Sequence, residues 1–569
     1  MGTPETLTLQ GSEGICQYFF RISYWGKHSL QGYSFIPTKF HIFPSSIIFY
    51  LKILSLHHFT PGFSNLQMLS MSLSLEVSSP DISSDKLEAV FKGKATLVIS
   101  SEALQRIDHC HQYLQNRIHT TDDKLYGINT GFGSLCNVVV DDDNIGQLQI
   151  NLIRSHACGA GNQVPPGISR IILFLKIRSL SYGNSGVTTE LVQRLIDMFN
   201  DDAIPVMYEQ GSLGASGDLA PLAHMSLPLI GEGLVHYRGS IISGGEYLEL
   251  KGLTTYTLKA KEGLALINGT QFSLAYLQAS YLLSEKLLRA ANTIAAMSIE
   301  GFDCRLDPFH PSIHAVRPHN GQVETATFFR DILSGSEHMQ QPAVAVQDPY
   351  SFRCIPQVHG ATYNAMQHIG SVIEGERNSV TDNPNVFADE GLVISGGNFH
   401  AQPLALASDY LSIAVAELGS ISERRLYLLV SGQRGLSPFL VTKPGLQSGF
   451  MIAQYTAASI VSLNKQLASP SCVDSIVSSN GQEDHVSMAA NAGVKLWQIV
   501  NNVATVLSIE WMAACQAVEM KQYSISPVLK NLLDEYRKYV PFVDEDRVLH
   551  NDFIRTQEFF DDIKWFKKS

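Results

Sequence analysis

Apolar positions dominate the second half of the chain and recur at helical spacing. From Phe272 to Ile299 they occupy almost every face, which predicts a helix in the middle of a bundle. Leu411, Val415 and Leu418 repeat three and four residues apart, as do Leu496, Val500, Val503 and Leu507. Both stripes predict helices packed into a common core. From about Pro80 to Val206 the pattern is different: short helical stretches alternate with Gly- and Asn-rich loops, YGINTGFG and SHACGAGNQVPPG among them. An irregular, glycine-dense segment from Gln210 to Gly217 follows Pro205, and no repeat of fixed period stands out.

The pattern predicts a mainly α protein, with residues 71–269 as a loop-rich N-terminal part and residues 270–569 as a long-helix bundle with C-terminal helices. Residues 1–70 stand apart, rich in Ser, Phe, Tyr, Ile and His and poor in helical periodicity. Met68 and Met71 then precede SLSLEVSSPDISSDKLEAV, which reads as an ordinary start. Two readings of residues 1–70 stay open: a disordered or non-native N-terminal extension from an upstream start assignment, or an extra segment packed on the surface.

Composition narrows the function classes. The chain is 45% hydrophobic and 17% charged, globular and with little charge for a monomer's surface, which favours subunit contacts. A formal net charge of -12 without a basic stripe argues against nucleic acid as a partner. The eight cysteines are scattered with no CxxC pair, so reduced thiols in the cytoplasm are expected and neither disulfides nor a zinc site. No uninterrupted apolar run is long enough to span a bilayer, and no secretory signal is read at the N-terminus, so no membrane partner is expected. The histidines show no ligand spacing such as HExxH, and no metal is expected.

The most unusual string is GSLGASGDLAPLAHM, from Gly211 to Met225. Gly217 reaches backbone conformations closed to other residues, so its amide nitrogen can approach the Ala215 carbonyl carbon. Cyclisation with loss of one water, then loss of the Ser216 hydroxyl as a second, leaves an exocyclic alkene. Most Ala-Ser-Gly tripeptides are simply turns, and physics permits this closure without demanding it.

The full 15-residue string resembles the signature of the aromatic amino acid ammonia-lyase and aminomutase family, and the resemblance runs from about Leu87 to the C-terminal region. It implies the long-helix bundle of the L-aspartase-like lyase superfamily. It also implies a 4-methylidene-imidazol-5-one formed autocatalytically from Ala215, Ser216 and Gly217, with no external cofactor. Such a group serves as an electron sink for expelling ammonia, a poor leaving group, from an amino acid whose β hydrogen is weakly acidic. The resemblance further implies a homotetramer in which neighbouring subunits complete each active site.

By the same resemblance, Tyr126 of YGINTGFG lies over the site as a candidate base, although a phenol with a pKa near ~10 needs a positive environment for that role. Asn268 of LALINGT contacts the electrophile or the substrate amine; by itself such an asparagine reads as a helix cap. QDPYSFRCIPQ supplies Gln347, Tyr350, Arg353 and Gln357. Tyr350 is counted among the catalytic residues and Gln347 among those binding substrate, and the three-residue spacing puts Gln347, Tyr350 and Arg353 on one face if the segment is helical. Arg353 is the natural partner of the substrate carboxylate. Phe399 of SGGNFH packs near the electrophile. Asn378, Asp382 and Asn383 read as supporting residues, and SERR (422–425) as an inter-helix element.

Two positions bear on the amino acid deaminated. Ser155-His156 matches the histidine-selective members of the family. Glu483 of NGQEDHVSM offers a carboxylate to an imidazole N–H, which a phenylalanine ring cannot donate. Glu483 is also an alternative candidate base. The expectation is non-oxidative deamination of L-histidine to trans-urocanate. Its rivals are a phenylalanine or tyrosine lyase or aminomutase of the family, and a non-catalytic helical oligomer. QPAVAVQDPYSFRC and SGQRGLSPFL depart from the commonest wording of histidine-selective members.

Overall fold

The long helices follow from the apolar periodicity. Five carry the core: Gln271–Gly301, Ile355–Arg377, Gln402–Leu429, Met451–Leu467 and Ala489–Glu519. In this computed structural model, residues 72–562 are described, apart from 122–123, 132–137, 139 and 142–143. Residues 1–70, with both readings of them, lie outside the described residues.

The Gln271–Gly301 helix is buried on most faces, and Leu411, Val415, Leu418, Leu496, Val500, Val503 and Leu507 all lie in the main hydrophobic core. That core runs from Leu75 to Phe559, so the loop-rich part and the bundle share it. Gln402–Leu429 is long and apolar enough, by length and composition alone, to cross a membrane. However, 67% of its apolar window is buried inside the bundle, as a central helix requires.

Charge inside the bundle is paired. Arg425 of the SERR string is fully buried and donates through Nε and Nη2 to both carboxylate oxygens of Glu510, at 2.6 and 2.9 Å. Ser298 donates to the same carboxylate at 2.7 Å, so three helices meet at one ion pair. The inter-helix role expected of this string is what the structure shows.

The N-terminal part is built of short helices and small sheets. Ser100 and Thr188 cap their helices by accepting from Ala103 N and Leu191 N. Four small sheets are present among the described residues. One is an antiparallel ribbon pairing Ala160 with Gln210 and Gln163 with Tyr208. It lies just after His156 and just before Gly211, and so ties those two loops together.

Arg425→Met is expected to destabilise the protein by about 3–5 kcal/mol, because it leaves the Glu510 carboxylate buried without its cation. Arg425→Met combined with Glu510→Leu should recover most of that loss. Denaturant melts of the three proteins check this, and equal losses in the single and double variants would contradict it.

Candidate active site

Gly211 to Gly217 crosses the molecule between two helix starts, Leu219–Ser226 and Gln271–Gly301. Two of its glycines are dictated by space as well as by backbone angle. Gly217 has φ +80°, and a Cβ there would sit 2.4 Å from Gly269 N and 2.5 Å from Gly269 O. Gly214 has φ +65°, and a Cβ would sit 2.3 Å from Ser487 Oγ. Backbone therefore lies directly on backbone at Gly217, a fit that no other residue type permits.

Hydrogen bonds fix the rest of the tripeptide. Asn268 Nδ2 donates to the Ser216 carbonyl at 2.5 Å, and Asp218 N donates to Gly269 O at 2.7 Å. The Ser216 hydroxyl donates to Glu483 Oε1 at 2.6 Å. Ser487 Oγ donates to Gly214 O at 2.8 Å, and Ala401 N reaches the same carbonyl at 3.3 Å. Ala215 is buried against Val486 and Met488.

Asp218 anchors the segment from below. It is fully buried and accepts from Ser212 Oγ, Ser273 N and Ser273 Oγ at 2.7, 2.8 and 2.9 Å. Burial pushes its carboxyl above the usual range, against the pull of those three bonds. Ser273 N belongs to the first turn of the Gln271–Gly301 helix, whose dipole favours an anion there.

Asn268 makes two structural contacts. It is the C-cap of the Glu262–Ile267 helix, and its side chain reaches Ser216. Its Oδ1 is buried without a hydrogen-bond partner.

His156 ends the Ile145–His156 helix. Its Nδ1 lies 2.8 Å from Leu152 O and 3.0 Å from Ser155 Oγ. A carbonyl only accepts, so Nδ1 carries the proton and Nε2 is left as an acceptor. Burial lowers the imidazole pKa, opposed by the Leu152 carbonyl and by the charge of Glu483, which acts on it. Glu483 also accepts from Ser478 Oγ at 2.6 Å, and the backbones of these two residues bond to each other, which fixes the carboxylate's direction.

A model of the family described as aromatic amino acid lyase matches residues 82–538. The chain belongs to the aromatic amino acid lyase family. Histidine ammonia-lyase of Geobacillus sp. (strain WCH70) is 44% identical over 484 residues, 84% of this chain and 95% of that protein. The crystal structure of histidine ammonia-lyase from Trypanosoma cruzi superposes with a TM-score of 0.79 at 38% identity, covering 86% of this chain and 93% of that one. Tyrosine aminomutase from Streptomyces globisporus superposes with a TM-score of 0.81 at 30% identity, covering 86% and 96%.

In this aromatic amino acid lyase the loop of Tyr126 is tied to the site's framework. Gln149 Nε2 donates to Gly127 O at 3.5 Å, and Gln149 Oε1 accepts from Leu264 N in the helix that ends at Asn268. Phe399 is half-buried in the loop that reaches Gly214 through Ala401. His400 stacks on His485 with ring centroids 5.3 Å apart. Asp382 forms a fully buried pair with Lys261 at 2.6 Å, and Asn383 Oδ1 accepts from Gly396 N.

The Arg353 group is not brought to this site within one chain. Asp218 is bonded to Ser273 at the start of the Gln271–Gly301 helix, whereas Phe352 stacks on Phe302, just past its end, at 5.0 Å. Twenty-nine residues at a rise of about 1.5 Å each separate the two points by roughly 40 Å. The helix there is only Tyr350–Arg353 and follows Pro349, which lacks an N–H and fixes the turn, so Gln347 precedes the helix and does not share its face. Tyr350 is 71% exposed. The Arg353 guanidinium lies 4.5 Å from the Tyr350 ring, and its Nε is buried without a partner, as is Gln357 Oε1. Gln347, Arg353 and Gln357 line a cavity of 420 Å³.

Several groups that shape the site were not singled out from sequence. Ser478 and Ser487 sit among ordinary serines and carry no pattern. Ser212 and Ser273 become meaningful only once the fold brings them to Asp218. The two strings with unusual wording meet: Arg434 of SGQRGLSPFL donates to Asp348 of QPAVAVQDPYSFRC at 2.8 Å. Lys176 did carry a signal, as a charge inside the apolar run IILFLKI.

Gly217→Ala is expected to cost well over about 1 kcal/mol, since it combines a left-handed backbone with a collision on Gly269. A thermal melt within a degree of the unsubstituted protein would contradict the fit described here.

Proposed function

We propose that this chain is a histidine ammonia-lyase, deaminating L-histidine without oxidation to trans-urocanate and ammonia. The observation that carries the reading is the Glu483 carboxylate 2.6 Å from the Ser216 hydroxyl, acting on His156 nearby. Ammonia-lyase relatives at 44% identity over most of the chain support the reaction class.

The residues present fit a methylidene-imidazolone made from Ala215, Ser216 and Gly217. Gly217 has no Cβ in the way of closure, Asn268 engages the Ser216 carbonyl, and the tripeptide is held from both ends. Once formed, that group supplies an electron-poor alkene carbon as the electron sink.

The protein's own residues do the rest. Glu483 accepts the imidazole N–H of the substrate, and His156, on whose ring the Glu483 charge acts, lines the same side. A neutral imidazole has one N–H to donate, and a phenylalanine ring, which has none, would leave the Glu483 carboxylate unpaired at about 1–3 kcal/mol. The carboxylate favours histidine over an apolar ring as substrate, and the 44% identity to a histidine ammonia-lyase favours elimination over the aminomutase chemistry named for the Streptomyces globisporus protein. Asn268 Oδ1, without a partner, is available to the substrate amine. Tyr126 and Glu483 are the two groups suited to take the β proton, with Phe399 completing the site and Tyr350 reaching it, like Arg353, from a neighbouring copy. Arg353, with Gln347, binds the substrate carboxylate.

Because Ser216 lies near the start of the Gln271–Gly301 helix and Arg353 beyond its end, with roughly 40 Å of helix between, Arg353 serves the site of a neighbouring copy, and the working unit is a homotetramer. Dihedral tetramers are a common way to bring such distant surfaces together. The scattered cysteines favour a cytoplasmic, reducing compartment.

Incubating the purified protein with L-histidine, L-phenylalanine and L-tyrosine tests the reading. Urocanate absorbance with histidine alone is expected, and cinnamate-type products or a β-amino acid would overturn it. Glu483→Ala is expected to reduce turnover of histidine at least tenfold more than any residual turnover of phenylalanine; equal losses would remove Glu483 from selectivity. Ser216→Ala and Arg353→Ala should each be inactive alone. Co-expressed, they should regain about one quarter of the unsubstituted activity, since a site then needs an intact residue from each of two copies. No recovery in verified mixed oligomers would refute the shared site.

A further inference from the structure

Lys176 is fully buried in the Pro166–Ser181 helix, beneath the electrophile loop. Its ammonium donates to two carbonyls, Ala265 O at 3.0 Å and Asn268 O at 2.7 Å. These are C-terminal carbonyls of the Glu262–Ile267 helix, which that helix cannot satisfy itself. A cation at a helix C-terminus is favourable, so capping is part of what Lys176 does.

Capping alone does not account for the residue. Among the described residues Lys176 makes no ion pair, whereas its neighbours Lys261 and Asp382 pair with each other at 2.6 Å. An ammonium buried without a carboxylate in contact is costly, and a methionine of similar length would avoid that cost. Burial indeed pushes the Lys176 ammonium down to about 7, with Asp382 and Asp218 opposing it and Lys261 adding to it. What the ammonium holds is specific: Asn268 carries the amide that reaches the Ser216 carbonyl, and the next residue, Gly269, packs on Gly217 and accepts from Asp218 N. One point of attachment fixes both contacts.

We propose that Lys176 is a positioning residue for the electrophile loop, acting through Asn268 and Gly269 to hold Ser216 and Gly217 in register. The proposal rests on the reading of Ala215-Ser216-Gly217 given above. With Lys176 removed, the end of the Glu262–Ile267 helix is free to shift. The Asn268 amide then loses its alignment on the Ser216 carbonyl, and Gly217 loses the surface against which it closes.

The test uses full-length purified protein and two readouts. The first is the mass of the peptide spanning 215–217. The unsubstituted protein is expected to lack two waters there; if it lacks none, the reading of the tripeptide itself fails, independently of Lys176. The second is kcat and KM for histidine in Lys176→Met, in Asn268→Ala and in the double variant. Lys176→Met is expected to leave a measurable fraction of the peptide with its waters and to lower kcat at least tenfold, with KM within about threefold. In the Asn268→Ala background the same substitution should lower kcat by a clearly smaller factor, because only the Gly269 contact is then left to lose. If Lys176→Met does not fold, Lys176→Gln carries the test, with an expected loss of threefold or more that is again smaller in the Asn268→Ala background. Complete loss of both waters with unchanged kcat in either folded variant would overturn the proposal. So would an equal factor in both backgrounds, the result expected of a residue that only stabilises the fold.

Discussion

The contact of Gly217 with Gly269 governs the architecture around it. Two backbones touch with no side chain between them, and each neighbour is arranged to keep them there. Asp218 turns the chain into one helix and takes the first-turn N–H of another, Asn268 reaches across to the Ser216 carbonyl, and Ser487 pins Gly214 from the far side. These are short-range, directional bonds in a buried place, where each is stronger than in water and an unmade one is expensive. Such a setting suits a loop that must hold one conformation.

The site is also an electrostatic construction. Asp218, the Lys261–Asp382 pair and Lys176 form a buried layer of charge under the loop, where a wholly apolar core would serve stability as well. Glu483 and His156 lie on the accessible side, and the direction of each is set by a neighbour: Ser478 for the carboxylate, the Leu152 carbonyl for the imidazole. Recognition of a polar ring depends on such fixed donors and acceptors more than on pocket volume.

Much of the fold is legible in the chain because helical burial leaves a periodic trace. Leu411, Val415 and Leu418 announce their helix, and Phe272 to Ile299 announces the central one. The site is legible less evenly. Ala215-Ser216-Gly217 stands out only through a long family string, since the tripeptide alone is an ordinary turn. Asn268 reads equally well as a cap or as a site residue; in the fold it is the C-cap, with its amide on the Ser216 carbonyl. Gln347 misleads, because three-residue spacing suggests a helical face that Pro349 prevents. Ser478, Ser273 and Ser487 are invisible in sequence because their meaning comes wholly from partners 5, 55 and 273 residues away.

The Gln271–Gly301 helix has a consequence beyond packing. It acts as a ruler that sets the Ser216 loop, near its start, apart from Arg353, beyond its end. Under the shared site proposed above, a newly folded copy holds half of the chemistry at each extremity and joins neither half to the other. Deamination would then begin only after assembly, with the rigidity of a single long helix as the safeguard against a premature, partly formed catalyst.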